Sequence, residues 1–314
     1  MSDVSPIAPF LEKQGVLILD GGLATELENR GYDLNHPLWS ARLLASHPEA
    51  IRDVHLAYLE AGANCIVSSG YQATIPGFMD AGMSQEKAES LLKLTVALAC
   101  DAREEYMAAH SEEITLTPLV AAGIGPYGAY LADGSEYHGN YGISRRKLLD
   151  FHKRRWETYA GSAADLVACE TIPCIEEAEV MLDLIHETPG TFAWISFSCK
   201  DGIHISDGTP IGECAALLKN SNQVVALGIN CTAPKYIASL IEQIRKVAPS
   251  KPVVVYPNSG ETYDAASRSW IGQTDSSDFG KAAYDWMQQG AGLIGGCCRT
   301  GPDHIRAIHN NLVG

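Results

Sequence analysis

Eight short runs of apolar, β-favouring residues recur along the chain, each followed by a longer stretch with helical spacing. This alternation constrains the fold more than any other feature of the sequence. The runs are 16–20 (VLILD), 64–69 (NCIVSS), 119–125 (LVAAGIG), 165–171 (DLVACET), 192–199 (FAWISFSC), 224–231 (VVALGINC), 252–258 (PVVVYPN) and 292–298 (GLIGGCC). Their apolar cores are continuous rather than alternating, as parallel strands covered on both faces require. Helical stretches fall at 48–61, 84–109, 144–161, 175–186, 212–219, 234–247, 277–289 and 302–310; the first carries Ile51, Val54, His55, Tyr58 and Leu59 along one side. Pro234 and Pro302, after Thr232 and Gly301, stand where a first-turn proline belongs, and Gly62 and Gly290 where a left-handed helix terminator belongs. The expected fold is α/β, a single (β/α)8 TIM-type barrel forming one domain over residues 1–314. The rival is an open doubly wound sheet, and it is weakened because no Gly-x-Gly-x-x-Gly follows the first run.

Composition narrows the function. Hydrophobic residues make up 46 % of the 314, which is ample for a large core. With 23 Lys and Arg against 38 Asp and Glu, the net charge is −15, which argues against a nucleic-acid or anionic-membrane surface. The first residues, MSDVSPIAPFLEKQG, lack a basic segment leading into an apolar one, and no run reaches the ~18 apolar residues of a membrane span, so a cytoplasmic location is expected. Nine cysteines, an odd number, make a disulfide framework a poor reading.

Active sites of such barrels lie at the C-terminal ends of the strands. Those ends carry Asp20, Ser69, Gly125, Glu170, Ser198, Cys199, Asn230, Cys231, Asn258, Cys297 and Cys298. Any one of them taken alone is equally a polar strand terminator. The most informative subset is Cys231 with the adjacent pair Cys297 and Cys298, at the ends of strands six and eight. Strands two apart are roughly 10 Å apart, and thiols pointing inward across a curved rim converge. Gly295 and Gly296 favour an irregular backbone that lets both members of the pair face one centre. Three thiolates suit tetrahedral Zn2+ and leave a fourth position open for substrate. The alternatives are three unliganded buried cysteines, a vicinal disulfide, or a closed four-cysteine site recruiting Cys199 or Cys169. After the third strand, 125–141 (GPYGAYLADGSEYHGNY) is the longest irregular stretch; its tyrosines favour a pocket wall or cover over disorder, with a packed surface loop as the alternative.

Motifs across nearly the whole chain resemble the homocysteine S-methyltransferases, most closely the S-methylmethionine-dependent type. They are LDGGLATELENRG at 19–31, HPLWSARLL at 36–44, GYQATIPGF at 70–78, the 125–141 stretch, ACETIP at 168–173, ALGINCTAP at 226–234, YPNSGETYDA at 256–265 and GGCCRTGPDHI at 295–305. The resemblance implies that Cys231, Cys297 and Cys298 ligate zinc and that Asn258 fills the fourth position before substrate arrives. It further implies that Asp20 and Gly21 hold the amino-acid end of homocysteine, that Glu170 accepts its ammonium, and that Thr74 lines the same pocket. The expected reaction is methyl transfer from S-methylmethionine to the homocysteine thiolate, with Zn2+ and without corrinoid or folate, by a monomer acting on small molecules. S-Adenosylmethionine as donor, selenohomocysteine or selenocysteine as acceptor, and a non-catalytic zinc or thiol sensor on the same barrel are the readings that remain beside it.

Overall fold

In the computed structural model, which describes residues 4–35, 38–260, 262–264, 269–271 and 275–314, the eight runs form one parallel sheet. The strands are β1 (Leu17–Ile18), β2 (Cys65–Val67), β3 (Leu119–Ile124), β4 (Leu166–Ile172), β5 (Ala193–Phe197), β6 (Val224–Asn230), β7 (Val253–Tyr256) and β8 (Ala291–Ile294). Their order around the sheet is β1-β8-β7-β6-β5-β4-β3-β2, with every pairing parallel. The first and last strands meet through a parallel bridge between Leu19 and Cys65, where the Asp20 N–H donates to Cys65 O at 3.1 Å and the Asn64 N–H to Ile18 O at 2.7 Å. The sheet is thus a barrel, and the open doubly wound alternative is excluded.

The unbroken apolar runs resolve into two faces. Leu17, Leu19, Ala121, Ala168, Trp194, Ala226, Val254 and Leu293 fill the lumen. Ile18, Val120, Val167, Ile195, Leu227, Val255 and Ile294 pack outward under the helices. The strands are mostly apolar because both faces are dry. Ile7 and Phe10, at the start of and within a short helix Ala8–Gln14 that precedes β1, join the lumen cluster and plug its N-terminal end.

The eight helical stretches appear, and Gly62 and Gly290 have the positive φ of helix terminators (99° and 108°). Pro302 opens the helix Pro302–Leu312 as expected. Pro234 instead opens a 3-10 turn, Pro234–Tyr236, and Thr232 does not cap it. The Thr232 hydroxyl donates to Asn230 O (2.8 Å) and accepts the Cys199 N–H (2.9 Å). Helices Leu23–Asn29 and Ile75–Asp80, and an antiparallel strand pair of Thr262–Asp264 with Ser269–Ile271, fall outside the eightfold pattern. Residues 36–37, 261 and 265 of the HPLWSARLL and YPNSGETYDA motifs lie outside the described residues. Among the described residues no helix is long and apolar enough to cross a membrane.

Candidate metal centre and substrate pocket

The thiols converge because the strand between them holds both partners. Cys231 follows β6 with its N–H on Tyr256 O (3.2 Å); the Cys297 N–H donates to Pro257 O (2.8 Å), and Cys298 O accepts the Ser259 N–H (3.0 Å). The segment after β7 is therefore a splint for the loops after β6 and β8. Cys231 also takes the left-handed backbone, φ 48°, which turns its side chain toward the axis at a cost tolerated mainly at functional positions. The three sulfurs lie within 4.8 Å of one another, and Cys231 Sγ is 3.6 Å from Cys298 Sγ.

Three thiols this close cannot all ionise without a cation. The Cys298 thiol is pushed well below its usual range by hydrogen bonds from Cys231 and Cys297, and those two are held up by the same sharing. A divalent cation would draw all three to thiolates. Asn258 adds an observation of the same kind. Its Oδ1 is buried with no hydrogen-bond partner, while its N–H is held by Thr232 O at 3.1 Å. This orphaned carbonyl oxygen belongs to the segment whose backbone holds the three cysteines, which fits a metal centre.

The sulfurs open into a cavity of about 470 Å³. Asp20, Gly21 and Glu170 line it; Thr74 and Asn258 do not. Thr74 caps the helix Ile75–Asp80, its Oγ1 accepting the Gly77 N–H at 3.0 Å. Its neighbours Tyr71 and Gln72 reach the cavity instead. Gly21 has no room for a side chain, since a Cβ there would stand 2.9 Å from the Tyr58 ring.

Glu170 continues the inward series Leu166, Ala168 of β4, so it is carried to the top of the lumen. It accepts a hydrogen bond from Tyr256, and Gly123 on β3 leaves it space, a Cβ there coming within 3.3 Å of Glu170 Oε1. Burial pushes its carboxyl up to about 8. Asp20 accepts the Val67 N–H at 2.8 Å, and burial, with Glu170 nearby, holds its carboxyl well above the usual range. Two buried carboxylates pushed up in this way lack a cation that a substrate ammonium would provide.

Sequence reasoning missed several residues. Arg299 is the cavity's guanidinium among the described residues, and Glu28 and Glu136 are further carboxylates on its wall. Asn230, inward on β6 and wholly buried, brackets Thr171, whose φ of 60° is unusual for a β-branched residue. Asn230 Oδ1 accepts the Thr171 N–H and its Nδ2 donates to Thr171 Oγ1, both at 2.7 Å. One amide thereby braces the residue after Glu170 and the residue before Cys231. The strand-end reading and the ALGINCTAP motif both included Asn230 but gave it no role, because an Asn ending a strand looks like a terminator.

The stretch 125–141 is ordered into a helix Tyr127–Leu131 and a 3-10 turn Ser135–Tyr137. Glu177, wholly buried, fastens both its ends: Oε1 accepts the Tyr127 N–H (2.6 Å) and Oε2 the Tyr141 hydroxyl (2.8 Å). His152 donates from Nε2 to Glu177 Oε1 (2.7 Å) and accepts at Nδ1 from Arg155 (3.0 Å), which also holds Gly125 O (2.5 Å). Burial keeps this imidazole neutral, pushed down to about 4. The far end of the stretch enters the site, where the Tyr137 hydroxyl is 3.5 Å from Cys231 Sγ.

Residues 17–312 match the family model described as homocysteine S-methyltransferase. The chain belongs to the homocysteine S-methyltransferase family. Within that family it is 48 % identical to homocysteine S-methyltransferase YbgG of Bacillus subtilis over 97 % of each chain. It is 49 % identical to selenocysteine Se-methyltransferase of Brassica oleracea var. italica, covering 96 % of this chain and 90 % of that one. Among solved structures of the family it superposes on the metallated form of the Escherichia coli homocysteine methyltransferase MmuM with a TM-score of 0.87 at 43 % identity, covering 98 % of this chain and 99 % of the other.

Proposed function

We propose that this chain transfers the methyl group of S-methylmethionine directly to the thiolate of homocysteine, with Zn2+ held by Cys231, Cys297 and Cys298. The observation that carries the reading is the set of three sulfurs within 4.8 Å at the wall of a cavity lined by Asp20 and Glu170. Family membership and the metallated MmuM structure support it. Bound Zn2+ would keep the incoming thiol ionised at neutral pH.

The remaining work falls to the protein. Glu170 and Asp20 take the homocysteine ammonium, which fixes the acceptor sulfur at the cysteine cluster. Gly21, bare against Tyr58, lets the amino-acid end approach the backbone. Tyr137 and Tyr71 present ring faces to a sulfonium cation. The 125–141 cover keeps water away from a reaction in which a cation and an anion neutralise each other. The departing product is a neutral thioether, so no general acid is needed, and alignment of the two sulfurs supplies most of the rate.

Zinc-loaded protein given S-methylmethionine and homocysteine is expected to yield two methionines per turnover with inversion at the methyl carbon. Cys297→Ala is expected to lose both metal and activity. Full activity in metal-free protein overturns the zinc assignment, and faster turnover with betaine overturns the donor. Because a relative at 49 % identity bears the name selenocysteine Se-methyltransferase, selenocysteine belongs in the same assay as acceptor. Metal binding without any methyl transfer would favour the sensor.

A further inference from the structure

Glu136 lines the cavity, and neither strand-end position nor the homocysteine clamp accounts for it. It sits in the 3-10 turn Ser135–Tyr137, one residue before the tyrosine that touches Cys231. Its Oε2 is buried and has no hydrogen-bond partner in the protein. Its backbone is pinned. The Ser198 hydroxyl donates to Glu136 O at 3.3 Å, and a Cβ on Gly128 would stand 2.3 Å from Glu136 N, so the turn is packed hard against the helix Tyr127–Leu131. That helix is anchored in turn through the Tyr127 N–H on Glu177. A carboxylate delivered this rigidly, with an oxygen left unpaired, is arranged for a partner that arrives with substrate.

The charges indicate which partner. Homocysteine brings one ammonium, for which Asp20, after β1, and Glu170, on β4, line the same cavity. A sulfonium amino acid brings two cationic centres, the sulfonium and its own ammonium. A carboxylate against the sulfonium would hold a charge that the transition state must lose, and so would raise the barrier. A carboxylate on the ammonium, whose charge is the same before and after transfer, binds without that penalty, and only the ammonium has N–H groups to donate.

We propose that Glu136 is the donor-side recognition residue, accepting the α-ammonium of a sulfonium amino-acid donor while its neighbours Tyr137 and Tyr71 face the sulfonium. The inference rests on the methyl-transfer reading above and adds to it a residue that selects the donor class.

The test is Glu136→Gln in full-length, zinc-loaded protein, with Glu136→Asp as the conservative companion. For Glu136→Gln, KM and the calorimetric Kd for S-methylmethionine are expected to rise at least about tenfold, as for a lost charge-assisted hydrogen bond. The kcat is expected to stay within about twofold, the mark of binding shared equally by ground and transition states. Zinc content and KM for homocysteine should not move, and Glu136→Asp should recover part of the donor affinity. Dimethylsulfoniopropionate, a sulfonium donor without an amine, should react with the same KM in wild type and Glu136→Gln. An unchanged donor Kd in Glu136→Gln, a raised KM for homocysteine instead, or a fall confined to kcat would each overturn the assignment. If wild-type protein methylates homocysteine from another donor but neither binds nor uses S-methylmethionine, the donor reading itself fails and takes this inference with it.

Discussion

At the scale of single residues, the site works by holding groups in ionisation states that water would not allow. Glu170 is the clearest case. Its ordinary value is 4.5, and burial raises it to about 8. Between those limits the native state binds a proton that the unfolded chain has released, so this residue's contribution to stability declines as pH rises from about 4.5 through about 8. Relative to Glu170→Gln, metal-free wild-type protein should therefore lose melting temperature across that window, against the opposite trend that buried His55 and His152 give below about 6.5. The same variant should lose most of its kcat/KM for homocysteine, since removing one partner of a buried ion pair costs ~3–5 kcal/mol, while its zinc content stays normal. Melting curves at several pH values, with kinetics at constant zinc, check both. An equally steep decline in Glu170→Gln would place the titrating group elsewhere.

At the scale of elements, the 125–141 segment shows how a stretch without sequence periodicity acquires a fixed shape. Gly125, Tyr127 and Tyr141 are all tied, directly or through His152 and Arg155, to the one carboxylate of Glu177 on the helix Ile175–His186. The segment is thereby closed at its base, and its tip, with Glu136 and Tyr137, is delivered to the cysteines. Tyr141→Phe removes the hydroxyl that donates to Glu177 Oε2 and leaves the ring in place. It should cost about 1.5–3 kcal/mol, as for a hydrogen bond to a charged group, and lower kcat/KM without releasing zinc. Hydrogen exchange should quicken in 125–141 and not in the barrel strands. Uniform quickening across the barrel would show that the network supports the whole fold rather than the cover.

At the scale of the whole molecule, a closed barrel ties every strand end to the site, so stability and chemistry are linked. The lumen is sealed below by Ile7 and Phe10, each 2 % exposed. Phe10→Ala opens that seal far from the sulfurs and should cost ~3–5 kcal/mol while leaving KM for both substrates unchanged, by urea titration and steady-state kinetics. Zinc should raise the midpoint in wild type and Phe10→Ala alike, because the metal binds only where β6, β7 and β8 are assembled. A large change in KM in Phe10→Ala would mean that the lower plug sets the geometry of the upper rim.

The barrel was legible because its signal is local and repeated. Eight continuous apolar runs separated by helical spacing leave few other ways to bury both faces of each strand, and Cys231, Cys297, Cys298, Asp20 and Glu170 were visible as strand-end positions. The convergence of the sulfurs was expected from inward-pointing thiols on a curved rim, but how close they come was not. Strand spacing alone leaves ends two strands apart roughly 10 Å from each other, and the approach to within 4.8 Å depends on the left-handed turn at Cys231 and the backbone bonds to Pro257 and Ser259. Thr74 is a motif residue whose hydroxyl caps a helix, while its motif neighbours Tyr71 and Gln72 reach the cavity. Asn230, Glu136 and Glu177 act through partners 25 to 62 positions away in the chain, and their pairings exist only once the barrel has closed. The sequence by itself determined the barrel and which residues reach its rim, since burial periodicity is written in every segment. Only the tertiary structure decided which of those residues meet, because distances across a rim are set by loop backbone and long-range hydrogen bonds that no local pattern encodes.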